Sequence, residues 1–122
     1  MYAVADFCLI PMNTPTPSVG AYIAACQRVL ERYAKQDGFN GYGTNLEGSF
    51  SVVCRAIEEC HEAVHAMGCP RIATDIRIGT RTDKPAPGAA ASEGETQGEE
   101  WEKGLGENER KRESVRRRLA QE

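Results

Sequence analysis

His61-Glu62-Ala63-Val64-His65 matches the pattern H-E-x-x-H. On a helix, that spacing puts two imidazoles one turn apart on one face, with the glutamate placed as general base beside a zinc ion. These are the only two histidines in the chain. A hydrolytic zinc needs a third protein ligand, and no histidine remains to supply it. The same segment gives Cys60, Val64 and Met67 to an apolar helical stripe, so the helix is explained without a metal. We expect His61 and His65 to hold no catalytic metal, and a zinc hydrolase stands only as a third reading.

Two other patterns carry less chemistry. Gly41-Tyr42-Gly43 has the start of a dinucleotide loop, but Gly48 comes too late and no firm strand precedes it, so a hairpin turn is expected. Arg110 to Arg118 holds six bases against Glu113 alone. It lacks interleaved aromatics and follows an acidic block, so it reads as a solvated helix face with no nucleic-acid partner.

The most informative set is Asp6, Asn45, Glu47, Asp75 and Arg77. Strand alternation would bring all five to one sheet face. Charges in central strands are costly unless paired or solvated. Such a set fits either a ligand platform or a subunit boundary in which Arg77 meets an acid. Three acids against one base suit a cationic or amine-bearing ligand, held by charge-assisted hydrogen bonds.

The elements that must position these residues follow from periodicity. Tyr2 to Pro11 alternates as a strand, with Ala3, Ala5, Phe7 and Leu9 on one face and Val4, Asp6, Cys8 and Ile10 on the other. Ser18 offers an N-cap to a helix bearing Val19, Tyr22, Ile23, Cys26, Leu30 and Tyr33, which Gly38 ends. Glycine-dense residues 38–48 leave room for only a short second strand, or none, before a strand at 44–47. Ser49 or Ser51 caps a second helix whose stripe is Phe50, Val53, Ile57, Cys60, Val64 and Met67, closed by Gly68. Arg71 to Gly79 alternates strictly as a last strand. The order is βαββαβ, so the expected fold class is α+β: a ferredoxin-like four-stranded antiparallel sheet with two helices on one face and the other face open.

The chain has 122 residues, of which 40% are hydrophobic and 27% charged. The part after residue 84 contributes only Trp101, Leu105, Val115 and Leu119 as apolar side chains larger than alanine. The core must therefore come from residues 1–84, and so small a core gains from self-association. We divide the chain into a domain at 1–84, a disordered acidic linker at 85–106 and a charged helix at 107–122. No apolar run is long enough to span a bilayer, and no basic region opens the chain as in a signal peptide. Five cysteines, none at C-x-x-C spacing, are expected as reduced thiols, mostly in the core, in a cytoplasmic protein. A net charge of −3 gives no general drive toward nucleic acid or membrane.

Four segments resemble the thiamine-binding-protein family, a group of small and largely uncharacterised proteins. They are Ala5-Asp6 with Cys8-Leu9-Ile10-Pro11, then Gly43-Thr44-Asn45-Leu46-Glu47-Gly48, then His61-Glu62-Ala63-Val64, then Arg71 to Lys84. They fall in order across most of residues 2–84. The resemblance implies a ferredoxin-like fold, sheets pairing into dimers and then tetramers, a small-molecule ligand (thiamine in some members), and no established catalysis. It treats the His61–Val64 stretch as part of a helix and likens residues 109–120 to a C-terminal helix that docks on a neighbour. The segment before Gly43 is shorter than the resemblance leads one to expect, and the insertion at 85–106 is longer. The reading is thus a non-enzymatic homo-oligomer that binds a thiamine-like ligand through Asp6, Asn45, Glu47, Asp75 and Arg77 and needs no cofactor. The alternative is an oligomer without thiamine affinity that responds to an anion held by Arg77 or Arg81.

Overall fold

The computed structural model describes residues 1–35, 40–42, 44–86 and 106–121. The architecture is α+β, with elements in the order β1 (Tyr2–Pro11), α1 (Gly20–Ala34), β2 (Asn40–Tyr42), β3 (Asn45–Ser49), α2 (Phe50–Ala66), β4 (Ile72–Gly79) and α3 (Glu107–Ala120). The body of the sheet is β3-β1-β4, all antiparallel. A three-residue β2 runs antiparallel along the outer edge of β3, giving the order β2-β3-β1-β4. Residues 36–39 lie outside the described residues, as does 87–105, where the disordered linker is expected.

Alternation on β1 sorts the two sheet faces. Ala3, Ala5 and Phe7 are buried, and Leu9 packs against the core from a partly buried position. Val4 and Asp6 are half-buried, and Cys8 and Ile10 exposed, on the opposite face. The core lies between the buried face and the two helices, which supply Cys26, Val29, Leu30 and Tyr33 from α1 and Val53, Ala56, Ile57, Cys60 and Val64 from α2. Cys26, Cys60 and Cys69 are buried as small apolar residues, whereas Cys8 and Cys54 are exposed.

The ends of the helices differ from the sequence-based expectation. Val19, not Ser18, is the N-cap of α1, and no side chain caps it. Val19 and Ile23 are exposed, and Ala25 and Val29 take their places in the core. The stripe is rotated because α1 leans on α2 as well as on the sheet. Ser49 does precede α2, but its hydroxyl meets that of Ser51 at 3.2 Å instead of a backbone N–H. The first α2 N–H, from Phe50, goes to the Met1 carbonyl at 2.7 Å. Phe50 and Met67, at the two ends of the stripe, are exposed. Gly68 adopts φ 91°, and its N–H returns to the His65 carbonyl at 3.0 Å. Glycine accepts that left-handed turn without a Cβ clash, which ends α2.

The sheet face away from α1 and α2 is not fully open. The first turn of α3 reaches it, through the backbone N–H of Asn108 on Glu47 at 2.8 Å.

Candidate functional site

Register brings three of the five expected site residues into one rung across the sheet. Asp6 in β1 stands opposite Asn45 in β3 on one side and Arg77 in β4 on the other. Arg77 donates to Asp6 Oδ2 from Nε at 3.0 Å and from Nη2 at 2.8 Å. The two side chains are 85% and 43% exposed, so the pair contributes about 0.2–1 kcal/mol of stability. A pair this cheap to open leaves both groups available to a ligand.

Glu47 stands on the next rung, opposite Val4, and is only 2% exposed. Its Oε1 accepts the Tyr2 hydroxyl at 2.8 Å, and its Oε2 accepts the Asn108 N–H, also at 2.8 Å. Tyr2 shares the even-numbered face of β1, and its long side chain spans the diagonal to Glu47. Burial of a carboxylate is tolerated because charged-group hydrogen bonds each recover about 1.5–3 kcal/mol. The positive end of α3 adds to this. That helix starts at Gly106 with no side-chain cap, so Glu47 supplies the missing acceptor from 61 positions away. Glu47 is therefore a support under the site and not part of its surface. Asp75 is exposed one rung beyond, opposite Cys8.

A cleft of about 910 Å³ opens on this face, in the size range of ligand pockets. Asp6, Asn45 and Arg77 form its floor, and Glu47 and Asp75 do not line it. The strand exit after β4 and the first turns of α3 form its walls, with Arg81, Asp83 and Lys84 on one side and Asn108 and Lys111 on the other. Arg81 grips both oxygens of Asp83, at 2.7 and 2.5 Å. That guanidinium holds the Asp83 carboxyl down to about 2. Among the described residues of the lining, four bases face two acids. Glu47 lies beneath α3, Asp75 stands outside the lining, and three bases with Asp83 join from the walls. Parity with Asp6 was a signal for Tyr2, and the run Arg81 to Lys84 was one for the strand exit. Nothing in the sequence pointed to Lys111.

The histidines have structural work. His61 Nε2 shares a hydrogen bond with Thr74 Oγ1 at 2.6 Å, tying α2 to β4. Burial, and then the charge of His65, lowers the His61 pKa below its usual value. His65 Nδ1 donates to the Cys69 carbonyl at 2.8 Å and fixes the turn after α2. Among the described residues, no three His, Cys, Asp or Glu side chains gather as a metal site would require.

These features define a small α+β protein with a charged cleft on the sheet face that α1 and α2 leave uncovered. The chain belongs to the thiamine-binding protein family, whose model matches residues 5–90. It is 47% identical over 85 residues to a UPF0045 protein of Synechocystis, covering 70% of this chain and 69% of the relative. It is 42% identical over 87 residues to the UPF0045 protein YqgV of Bacillus subtilis, covering 67% and 83%. A UPF0045 protein of the fungus Eremothecium gossypii shares 33% identity over 84 residues, covering 69% and 80%. The crystal structure of a hypothetical protein from Methanocaldococcus jannascii superposes with a TM-score of 0.56 at 28% identity, covering 69% of this chain and 84% of that one. No described helix is long and apolar enough to cross a membrane.

Proposed function

We propose that this protein is a ferredoxin-like, non-enzymatic binder of thiamine or a related small cation, working as a homo-dimer or tetramer in the cytoplasm. The observation that carries the reading is the Asn45–Asp6–Arg77 rung on the floor of the cleft. The family's description supplies thiamine as the first ligand to test. A thiazolium ring would take its counter-charge from Asp6, and an aminopyrimidine would exchange hydrogen bonds with the Asn45 amide and the Asp6 carboxylate. The strand order supports the ferredoxin-like assignment. A core drawn from so short a stretch, with Ile10 exposed on the sheet face away from the two helices, supports self-association.

Titration calorimetry of the full chain with thiamine tests the reading. Saturable binding that Asp6→Asn weakens about ten- to a hundredfold is the expected result, given the worth of a charge-assisted bond. No heat beyond dilution would defeat it. A second reading, an oligomer responding to an anion, draws on the base excess of the cleft walls and predicts binding of phosphate or sulfate in place of thiamine.

A further inference from the structure

β4 ends the sheet, and among the described residues no strand pairs with its outer side. The backbone shows which groups that leaves. Phe7 N–H donates toward β3, to the Thr44 carbonyl at 3.2 Å, and Met12 N–H donates toward β4, to the Arg71 carbonyl at 3.0 Å. Successive residues of a strand aim their backbone groups to opposite sides. Even-numbered residues of β1 therefore bond to odd-numbered residues of β4, and Ile72, Thr74, Ile76 and Ile78 aim their N–H and C=O groups outward. Proline, lysine and bulges blunt many sheet edges. Ile72–Gly79 holds no proline or lysine, and its register with β1 runs without a bulge. The opposite edge, β2, is only three residues long.

Side chains along β4 make this edge complementary to itself. Ile76 stands opposite the buried Phe7, on the side of the two helices, and is 48% exposed. Asp75 and Arg77 are exposed on the other face. A two-fold axis through Ile76 would set two β4 strands antiparallel. Ile76 then meets Ile76 through a reciprocal pair of backbone bonds, and Thr74 meets the partner's Ile78. Asp75 falls opposite the partner's Arg77, and Arg77 opposite the partner's Asp75. Opposite charges across a strand pair are favourable, and like charges are not. An axis one residue away, on Asp75 or on Arg77, would set that residue against its own copy. The charges thus select one register and reject its two neighbours.

We infer that the outer edge of β4 is the surface on which a second copy of this chain docks, joining the two sheets into one. This rests on the self-association proposed above and names its surface. The two Ile76 side chains, each at the margin of its own core, cover one another. Arg77 serves both of its contacts. It gives Nε and Nη2 to Asp6, and Nη1 remains for the partner's Asp75. The second copy therefore brings a carboxylate to the side of Arg77 that faces away from the cleft floor.

Two measurements on the full chain test this. Sedimentation equilibrium gives the association constant, and amide exchange at concentrations above and below it reads the edge. In the associated protein the N–H groups of Thr74, Ile76 and Ile78 should exchange at least about tenfold more slowly than in the dilute monomer. Those of Asp75 and Arg77, turned toward β1, should change little. Asp75→Arg, on an exposed position, sets arginine against the partner's Arg77 at both ends of the two-fold pair and should weaken association about tenfold. Far-UV circular dichroism checks that the variant keeps its fold, and the wild-type exchange pattern does not depend on it. An oligomer whose Thr74, Ile76 and Ile78 amides exchange as fast as in the monomer would overturn the β4 interface and leave self-association standing. An oligomer that Asp75→Arg leaves equally tight would overturn the register centred on Ile76. A chain that stays monomeric throughout would defeat both the interface and the self-association it rests on.

Discussion

The carboxylate of Glu47, buried in β3, accepts the backbone N–H of Asn108 at the start of α3, 2.8 Å away and 61 positions along the chain. This bond ties the start of the C-terminal helix to the sheet, and Asn108 and Lys111 of α3 line the cleft. Val115 and Leu119 of α3 are exposed, and the pair of Arg116 with Glu113 at 3.2 Å runs along the helix surface.

Glu47→Ala is therefore expected to release α3 and to leave the Tyr2 hydroxyl without its acceptor. The stability loss should be about 1–3 kcal/mol, the cost of unmaking a buried charged hydrogen-bond set. Urea unfolding would measure it, and amide exchange at residues 108–111 would rise at the same time. A variant as stable as the wild type with α3 still protected would contradict the role given to Glu47.

Arg77→Ala should barely change stability, by less than about 1 kcal/mol, because its pair with Asp6 is exposed. Ligand affinity should change several-fold, since the floor loses the base that orients Asp6. Chemical denaturation and calorimetry on the same sample separate the two effects. A large stability loss with unchanged affinity would show the pair to be structural.

His61 gives the chain a definite pH response. Burial lowers its pKa below the ordinary 6.5, so the unfolded chain binds a proton that the folded one refuses. The contribution to stability is present above about pH 6.5 and is lost as pH falls below it toward the folded value. An NMR titration of the His61 ring should show a midpoint below 6.5, and Thr74→Val, which removes its partner at 2.6 Å, should destabilise by about 0.5–1.5 kcal/mol. A midpoint at or above 6.5 would contradict the burial.

Replacing His61 and His65 together by alanine should leave the metal content of the purified protein unchanged, since each ring has a structural partner in Thr74 or Cys69. Elemental analysis of both proteins checks this. Stoichiometric zinc in the wild type, lost in the double variant, would restore the hydrolase reading.

Sedimentation at micromolar concentration should show a dimer or tetramer. Ile10 is 42% exposed beside the exposed Cys8 on the sheet face away from α1 and α2, and association through that face would cover it. A monomer under these conditions would remove the oligomer from the proposal.

Much of this architecture was legible in the residue pattern. Alternation placed Ala3, Ala5 and Phe7 inward and Asp6 outward, and the helical stripe located Val53, Ile57, Cys60 and Val64, all buried. Such signals survive because burial acts on every second strand residue and every third or fourth helix residue in turn. Periodicity erred at the helix ends, at Val19, Ile23, Phe50 and Met67, where neighbouring elements and not the period set exposure. The rung of Asn45, Asp6 and Arg77 was anticipated as a shared face. That Glu47 leaves the surface, and that Lys84 and Lys111 join Arg81 in the walls, was not. Face and period are local properties of a segment, repeated along it. The docking of α3 includes a contact between a strand carboxylate and a distant helix terminus. It leaves no periodic trace in the sequence, and its place is set by where the buried charge needs a donor.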